Sequence, residues 1–156
     1  MNSIEIYNLL DRQEYLEEVS GWIWKEWSYE HGAKLEDVIY RSNHSLSKSG
    51  IPSMYIAVLK GEVVGVVSLW RNDLTTRQDL YPWMATLYVK ESFRGQGVGR
   101  RLQEKSIAVA KELGYSYLYL IKDHIGYYEK FGWTFLETAP LGNGKYTRIY
   151  QYCLKP

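Results

Sequence analysis

The sequence predicts a mixed α/β fold, with a largely antiparallel central sheet and helices on both faces. Short β-branched and aromatic runs, typical of strands, alternate with segments whose apolar residues recur at helical spacing. Glycine clusters end several of these segments and indicate turns or helix ends. In chain order, the elements follow the pattern β-α-α-β-β-β-α-β-α-β-β. We expect the whole chain, residues 1–156, to form one domain.

The first part of the chain predicts one strand followed by two helices. Residues 4–9 form the strand, and Asp11 with Glu14 has the spacing of a helix cap with its reciprocal acid. The helix that follows should bury side chains at helical spacing, namely Leu16, Val19 and Ile23, with Trp27 as a fourth candidate. A second helix is predicted over residues 35–47, and a loop at residues 49–52 ends it.

The middle of the chain predicts three consecutive strands. Residues 53–59 and 63–70 are apolar runs on either side of Lys60-Gly61-Glu62, which is the pattern of a tight hairpin. A polar loop over residues 71–79 then leads into a strand over residues 81–89.

The last part of the chain predicts two helices and three strands. The first helix follows a glycine-rich turn and ends near Leu113-Gly114, where glycine supplies a left-handed end. The other elements are a strand over 115–121, a short helix over 125–131, and strands over 133–137 and 146–154 that pair across Gly142-Asn143-Gly144. The aromatic final strand is either a dimer edge, which would make the protein a homodimer, or the inner face of the sheet.

Composition excludes several classes of protein. The formal net charge of +1 disfavours a nucleic-acid binder. The single cysteine, Cys153, leaves no internal disulfide and no metal-ligand spacing, so we expect no metal. No apolar run reaches the roughly 20 residues of a membrane span, and the polar amino terminus lacks a charged-then-apolar leader. We therefore expect a cytoplasmic protein that acts away from membranes.

The most informative motif is the glycine-rich turn Arg94-Gly95-Gln96-Gly97-Val98-Gly99-Arg100, which joins a predicted strand to a predicted helix. Glycines let backbone amides approach a ligand, and a helix start attracts anions, so two adjacent phosphates would fit. The spacing matches neither the dinucleotide fingerprint nor the phosphate loop of nucleotide hydrolases. The alternative is a glycine-rich connection that binds no ligand.

Two segments together resemble the GNAT superfamily of N-acetyltransferases. The segment from Arg94 to Gly99 is similar to its R/Q-x-x-G-x-G/A signature. The segment Tyr127-Tyr128-Glu129-Lys130-Phe131-Gly132-Trp133 resembles a second signature, and the order of elements from Ile4 to Leu154 also fits. The resemblance implies that acetyl-CoA, the cosubstrate, lies where the strands at residues 85–89 and 115–121 splay apart.

The resemblance also implies which residues bind the coenzyme. Backbone amides from Gln96 to Arg100 would hold its pyrophosphate, with Arg94 closing the same turn. The strand segment Leu87-Tyr88-Val89 would pair with the pantetheine arm, as an added strand pairs with a sheet edge. The predicted coenzyme-binding residues are Leu87, Tyr88, Val89, Arg94, Gly95, Gln96, Gly97, Val98, Gly99 and Arg100. The chain reads Lys122-Asp123-His124 where many members carry an asparagine that contacts the pantetheine.

Tyr128 stands where the superfamily places a tyrosine that protonates the departing thiolate as a general acid. The alternative is an aromatic residue that fills the wedge between strands. Its neighbour Tyr127 should point away and pack. A base for the amine is harder to find, because the strand before the turn offers no carboxylate. Asp123 and His124 are the nearest candidates, although they could equally form a helix-capping pair.

The implied activity is transfer of the acetyl group of acetyl-CoA to a primary amine of a small molecule or peptide, by direct attack in a ternary complex. The alternative is a non-catalytic acyl-CoA-binding sensor or regulatory module of the same fold. Two regions are candidates for the acceptor pocket. The first contains Trp22, Trp24, Trp27, Tyr29 and His31, and the second contains Arg71, Asp73, Arg77, Asp79, Tyr81 and Trp83. The tryptophans could instead belong to the core, and the loop charges could simply be solvated.

Overall fold

In the computed structural model, which describes residues 3–156, seven strands form a single sheet. The strands are β1 (Glu5–Asn8), β2 (Ser53–Leu59), β3 (Glu62–Trp70), β4 (Trp83–Val89), β5 (Tyr117–Lys122), β6 (Thr134–Pro140) and β7 (Tyr146–Cys153). They lie in the order β1-β2-β3-β4-β5-β7-β6, and all neighbours are antiparallel except β4 and β5. The mixed, largely antiparallel sheet is confirmed.

The three α-helices within residues 3–156 cover both faces of this sheet, as the sequence predicts. They are α1 (Leu16–Ile23), α2 (Leu35–Asn43) and α3 (Val98–Glu112). Alternate residues of β2 point to opposite faces: Met54 and Ile56 pack with α1 and α2, whereas Tyr55 and Ala57 pack with α3. None of the helices in this range combines the length and the apolar character that crossing a membrane would need.

Most element boundaries agree with the predictions, and the differences have local causes. The Lys60-Gly61 turn joins β2 to β3 with both residues at positive φ, as a two-residue hairpin requires. The predicted cap at Asp11 is wrong, because Asn8 takes that role one turn earlier, where its side chain accepts a hydrogen bond from Leu10 N. The predicted helix over 125–131 shortens to a 3₁₀ helix, Tyr128–Phe131.

Trp27 is not a core residue. Leu16, Val19 and Ile23 are buried as predicted, but Trp27 is 39% exposed. The reason is a π-helical turn over Trp24–Ser28 that follows α1 directly. Its wider repeat shifts the phase of the helix, so the residue four positions after Ile23 no longer lies above it.

The parallel pair β4–β5 is held together only at its start. Within the described chain, Trp83 and Tyr119 are the single registered pair between these strands. On the side that faces β3, β4 contains a bulge. Val66 pairs with Tyr88 and Ser68 pairs with Ala85, so two steps along β3 correspond to three steps along β4. The two strands therefore splay apart beyond this pair, and a groove opens in the middle of the sheet.

The aromatic final strand is not a sheet edge. β7 lies between β5 and β6, and Tyr150 is fully buried, which supports the inner-face interpretation. The edge strand next to β7 is β6, where Phe135 and Leu136 are 44% and 37% exposed. A homodimer stays a prediction, and β6, not β7, is the strand that would form its edge.

Gly65 of β3 lies where α3 approaches the sheet most closely. A Cβ atom there would come within 2.9 Å of Leu102 Cδ1 and 3.0 Å of Val98 Cγ1. We expect Gly65→Ala to lower the free energy of unfolding by about 1–3 kcal/mol through overpacking. The matched control is Gly21→Ala in α1, where a Cβ meets no atom within 4 Å. It should raise stability by about 0.5–1 kcal/mol. Urea denaturation measures both, and equal effects would contradict this account of the α3 contact.

Candidate active site

A cavity of about 650 Å³ follows the groove between β4 and β5 and continues along the glycine-rich turn. Nine of the ten predicted coenzyme-binding residues line it, the exception being Gln96. Trp27, Lys122, Tyr127 and Phe131 also line it, and the sequence patterns did not place these in the coenzyme site. The structure thus brings the predicted residues together at one cleft, while their role in binding stays a prediction.

The conformation of the glycine-rich turn depends on two of its glycines. Gly95 has φ +80° and Gly97 has φ +85°, both in the left-handed region that side-chain-bearing residues rarely adopt. Arg94 between β4 and these glycines is extended, and its Nε donates to the carbonyl of Val89 at 2.9 Å. This hydrogen bond joins the turn to the end of β4, while a role of Arg94 in coenzyme binding stays a prediction.

The turn presents free backbone amides at the start of α3. The first intrahelical bond runs from Arg101 N to the carbonyl of Gly97, so the N–H groups of Val98, Gly99 and Arg100 have no partner within the helix. The first turn of α3 contains no acidic residue that would compete for them. These amides and the helix dipole suit an anion such as a diphosphate.

The bulge in β4 frees backbone groups on the wall of the same cavity. Thr86 has φ +51°, and its hydroxyl oxygen lies 2.6 Å from that of Ser68 on β3. Thr86 and Leu87 have no registered partner in β3, and β5 has already diverged at this point. The strand therefore offers unpaired N–H and C=O groups around Leu87, to which an extended, amide-containing ligand can pair.

Tyr128 lies at the inner end of this cavity, at the start of the 3₁₀ helix Tyr128–Phe131. The residue is 7% exposed, and its ring packs edge-on against Tyr127 and Trp133. Burial, together with the nearby Tyr127, raises the pKa of the Tyr128 hydroxyl above the ordinary tyrosine value. Among residues 3–156 this hydroxyl has no hydrogen-bond partner. It is therefore protonated at neutral pH and free to donate.

A second cavity of about 520 Å³ also has Tyr128 in its lining. The two cavities share four lining residues, Trp27, Leu87, Lys122 and Tyr128, and so meet at the tyrosine. The second cavity is bounded by the region after α1, the loop after β3, the end of β5 and the β6–β7 hairpin. A ligand in either cavity could therefore contact the Tyr128 side chain.

The two other predicted catalytic residues line different cavities. His124 is exposed and lines the first cavity, whereas Asp123 lines the second and accepts a hydrogen bond from Thr147 Oγ1 at 3.4 Å. The alternative of a helix-capping pair is wrong, because Tyr127 is the N-cap residue and its side chain makes no capping bond. Tyr127 itself lies on the wall of the first cavity with 43% of its surface exposed.

Few of the predicted acceptor residues face the second cavity. Trp27, His31 and Asp73 line it. In contrast, Trp83 is fully buried in the core, and Arg77 forms ion pairs with Asp79 and Glu137. Three lining residues not among the predicted acceptor residues are Arg41, Trp70 and Lys145. They come from α2, the end of β3 and the β6–β7 hairpin, which only the fold brings together.

Comparison with known proteins agrees with this geometry. Residues 16–133 match the model of the acetyltransferase (GNAT) family. An uncharacterised N-acetyltransferase of Chlorobaculum tepidum is 28% identical over 87 residues. This match covers 56% of the chain, and the chain spans about half the length of that relative, 53%.

Solved structures of the same fold cover nearly the whole chain. A GNAT-family acetyltransferase from Staphylococcus aureus superposes with a TM-score of 0.72 at 21% identity, covering 98% of this chain and 100% of the other. An aminoglycoside 6'-N-acetyltransferase complexed with coenzyme A gives a TM-score of 0.74 at 17% identity, covering 99% and 98%. At these identities the likeness shows the fold alone. The family match over most of the chain, together with the sheet and cleft described above, establishes that this chain belongs to the acetyltransferase (GNAT) family.

Proposed function

We propose that this protein is an acetyl-CoA-dependent N-acetyltransferase that acts on a primary amine of a small molecule or peptide. The observation that carries the proposal is the meeting of the two cavities at Tyr128. One cavity suits a long anionic ligand with an amide-rich arm, and the other is open to a second reactant. Holding both reactants against one hydroxyl favours direct transfer in a ternary complex, because proximity replaces a bimolecular encounter.

The residues of the first cavity fit coenzyme A part by part. The free amides of Val98, Gly99 and Arg100 would hold the diphosphate, while the unpaired backbone around Leu87 would pair with the pantetheine amides. Acetyl-CoA supplies the acetyl thioester. Tyr128 would donate its proton to the sulfur as the carbon–sulfur bond breaks, so that a neutral thiol leaves.

The charges of the second cavity bear on the acceptor. Its lining contains three acidic residues, Glu30, Asp73 and Asp123, and three basic residues, Arg41, Lys122 and Lys145. A polycation would gain little from such a balanced lining. This balance supports an acceptor with a single amine beside neutral or anionic groups. It gives no support for an aminoglycoside, the substrate class in the name of one structural neighbour, as the acceptor of this protein.

Thiol release from acetyl-CoA tests the proposal. The amines to be compared are L-lysine, L-glutamate, tyramine, a lysine-containing tripeptide, spermidine and kanamycin. We expect amine-dependent release with at least one of the single-amine or amino-acid acceptors, together with an acetylated product by mass spectrometry. Tight coenzyme A binding without release for any amine would support the non-catalytic sensor instead.

Two alanine substitutions separate coenzyme binding from helix stability. Gly97 and Gly114 flank α3, both have positive φ, and a Cβ at either meets no atom within 4 Å. Each substitution should cost about 1–2 kcal/mol of stability from left-handed strain. Only Gly97→Ala should also weaken coenzyme A binding, by about tenfold, because the strained turn misaligns the free amides. Calorimetric titration measures this, and equal affinities for the two variants would contradict the assigned role of the turn.

A further inference from the structure

Asp73 lies in the loop between β3 and β4 and lines the second cavity beside Trp70 and Arg41. Its side chain is partly withdrawn from solvent. Within residues 3–156 its carboxylate forms no ion pair and no side-chain hydrogen bond. A carboxylate removed from water without a partner is costly, and such groups concentrate at functional sites.

The charged groups around Asp73 leave it free to receive a cation. Arg41 is the neighbour whose charge acts on it, but the guanidinium lies over the Trp70 ring, 4.6 Å from its centroid, and is not in an ion pair with the carboxylate. Besides Tyr128, the other titratable or charged side chains of the cavity are Glu30, His31, Arg41, Lys122, Asp123 and Lys145. Of the two other carboxylates, Asp123 is hydrogen-bonded to Thr147, and Glu30 is exposed.

We propose that Asp73 binds the ammonium group of the acceptor in the second cavity and accepts its proton before the attack. This inference rests on the proposed function and names Asp73 as the base, where the sequence alone offered Asp123 and His124 as candidates. Asp73 and Tyr128 both line the second cavity, and Tyr128 also lines the first, so an amine bound at Asp73 would share a cavity with the hydroxyl that faces the thioester.

The protons and bonds balance with this assignment. The ammonium gives one proton to Asp73, and the neutral nitrogen forms a bond to the acetyl carbon. The nitrogen loses a second proton to solvent as the carbon–sulfur bond breaks, and Asp73 then releases the first. Tyr128 protonates the departing sulfur and is later reprotonated, so one of the two protons ends on the coenzyme thiol and the other passes to solvent.

The ionisation of Asp73 suits this role. Burial raises its pKa to about 7, although the Arg41 cation acts in the opposite direction. A carboxylate near the ordinary aspartate pKa of about 3.9 would be too weak a base to take a proton from an alkylammonium. At neutral pH, Asp73 can both accept a proton and return it to solvent.

The test compares the pH dependence of kcat/KM for wild type and Asp73→Asn, with the most active amine of the panel. The kcat/KM of wild type should fall tenfold for each pH unit below about 7 and should stay level from about pH 7.5 to 10. The variant has no base, so only the free amine reacts. Its kcat/KM should be about 1,000-fold lower than that of wild type at pH 7 and should rise tenfold per pH unit towards the amine pKa of about 10.4, where it approaches the wild-type level.

Controls make every outcome decisive. Asp11→Asn removes an exposed carboxylate that lines neither cavity, and it should keep the wild-type profile. Asp73→Glu should restore part of the level region. If Asp73→Asn keeps the wild-type rate and profile, the role of Asp73 is overturned while the proposed function stands. If wild type turns over no amine, both are overturned.

Discussion

Tyr128→Phe is expected to lower kcat by about 100-fold while leaving coenzyme A affinity within twofold of wild type. General-acid catalysis contributes about 10²–10⁴-fold, and the phenylalanine ring keeps the packing against Tyr127 and Trp133. The hydroxyl has no hydrogen-bond partner in the described chain, so its loss should leave folding stability nearly unchanged. Steady-state kinetics with the most active amine and calorimetric titration with coenzyme A measure both effects.

The raised pKa of the Tyr128 hydroxyl also predicts how the wild-type rate depends on pH. Because burial holds the hydroxyl protonated above the ordinary tyrosine pKa, wild type should show no alkaline loss from this group up to about pH 10. The matched control is Tyr152→Phe, which removes a hydroxyl from an aromatic side chain beside Trp133 that lines neither cavity. It should leave kcat unchanged. Undiminished turnover of Tyr128→Phe would show that Tyr128 is not the general acid and only fills the space between the strands.

Asp73→Asn is expected to make the protein more stable than wild type at pH 8, by roughly 2–4 kcal/mol, since each unit of pKa shift corresponds to about 1.4 kcal/mol. The pKa of Asp73 is raised in the folded state, from 3.8 to about 7. Its favourable contribution is therefore complete below about pH 4 and is lost as pH rises through 7. Asparagine keeps the shape of the side chain and removes its charge.

The stability difference should shrink towards zero at pH 4, where the folded wild-type protein holds the proton on Asp73. Urea denaturation at pH 4 and pH 8 measures it, with Asp11→Asn as the exposed-carboxylate control. Gain of stability with loss of activity is the pattern of a residue kept for function. A variant less stable than wild type at pH 8 would show that the attraction between Asp73 and Arg41 supports the fold instead.

The sequence was sufficient for the parts of the molecule that local chemistry determines. Glycines at positions 95 and 97 indicate left-handed backbone, and Lys60-Gly61 between two apolar runs indicates a hairpin turn. Tyr128 could be placed because its segment resembles a family signature. In each case, a few neighbouring residues contain the whole signal.

Features that depend on long-range packing could not be predicted in the same way. Helical periodicity placed Trp27 in the core because nothing in the sequence signals the π-helical turn that rotates it outward. The position of β7 inside the sheet follows from its pairing with β5, which is distant in sequence. In the sequence Asp73 is an ordinary loop carboxylate, and only the fold brings it into one cavity with Arg41 from α2.

The most direct test of the account is a crystal structure of the protein with coenzyme A. We expect the diphosphate to accept hydrogen bonds from the amides of Val98, Gly99 and Arg100, the pantetheine to run along β4 at Leu87, and the sulfur to lie within hydrogen-bonding distance of the Tyr128 hydroxyl. A coenzyme bound elsewhere, or a sulfur that points away from Tyr128 and the second cavity, would contradict the account.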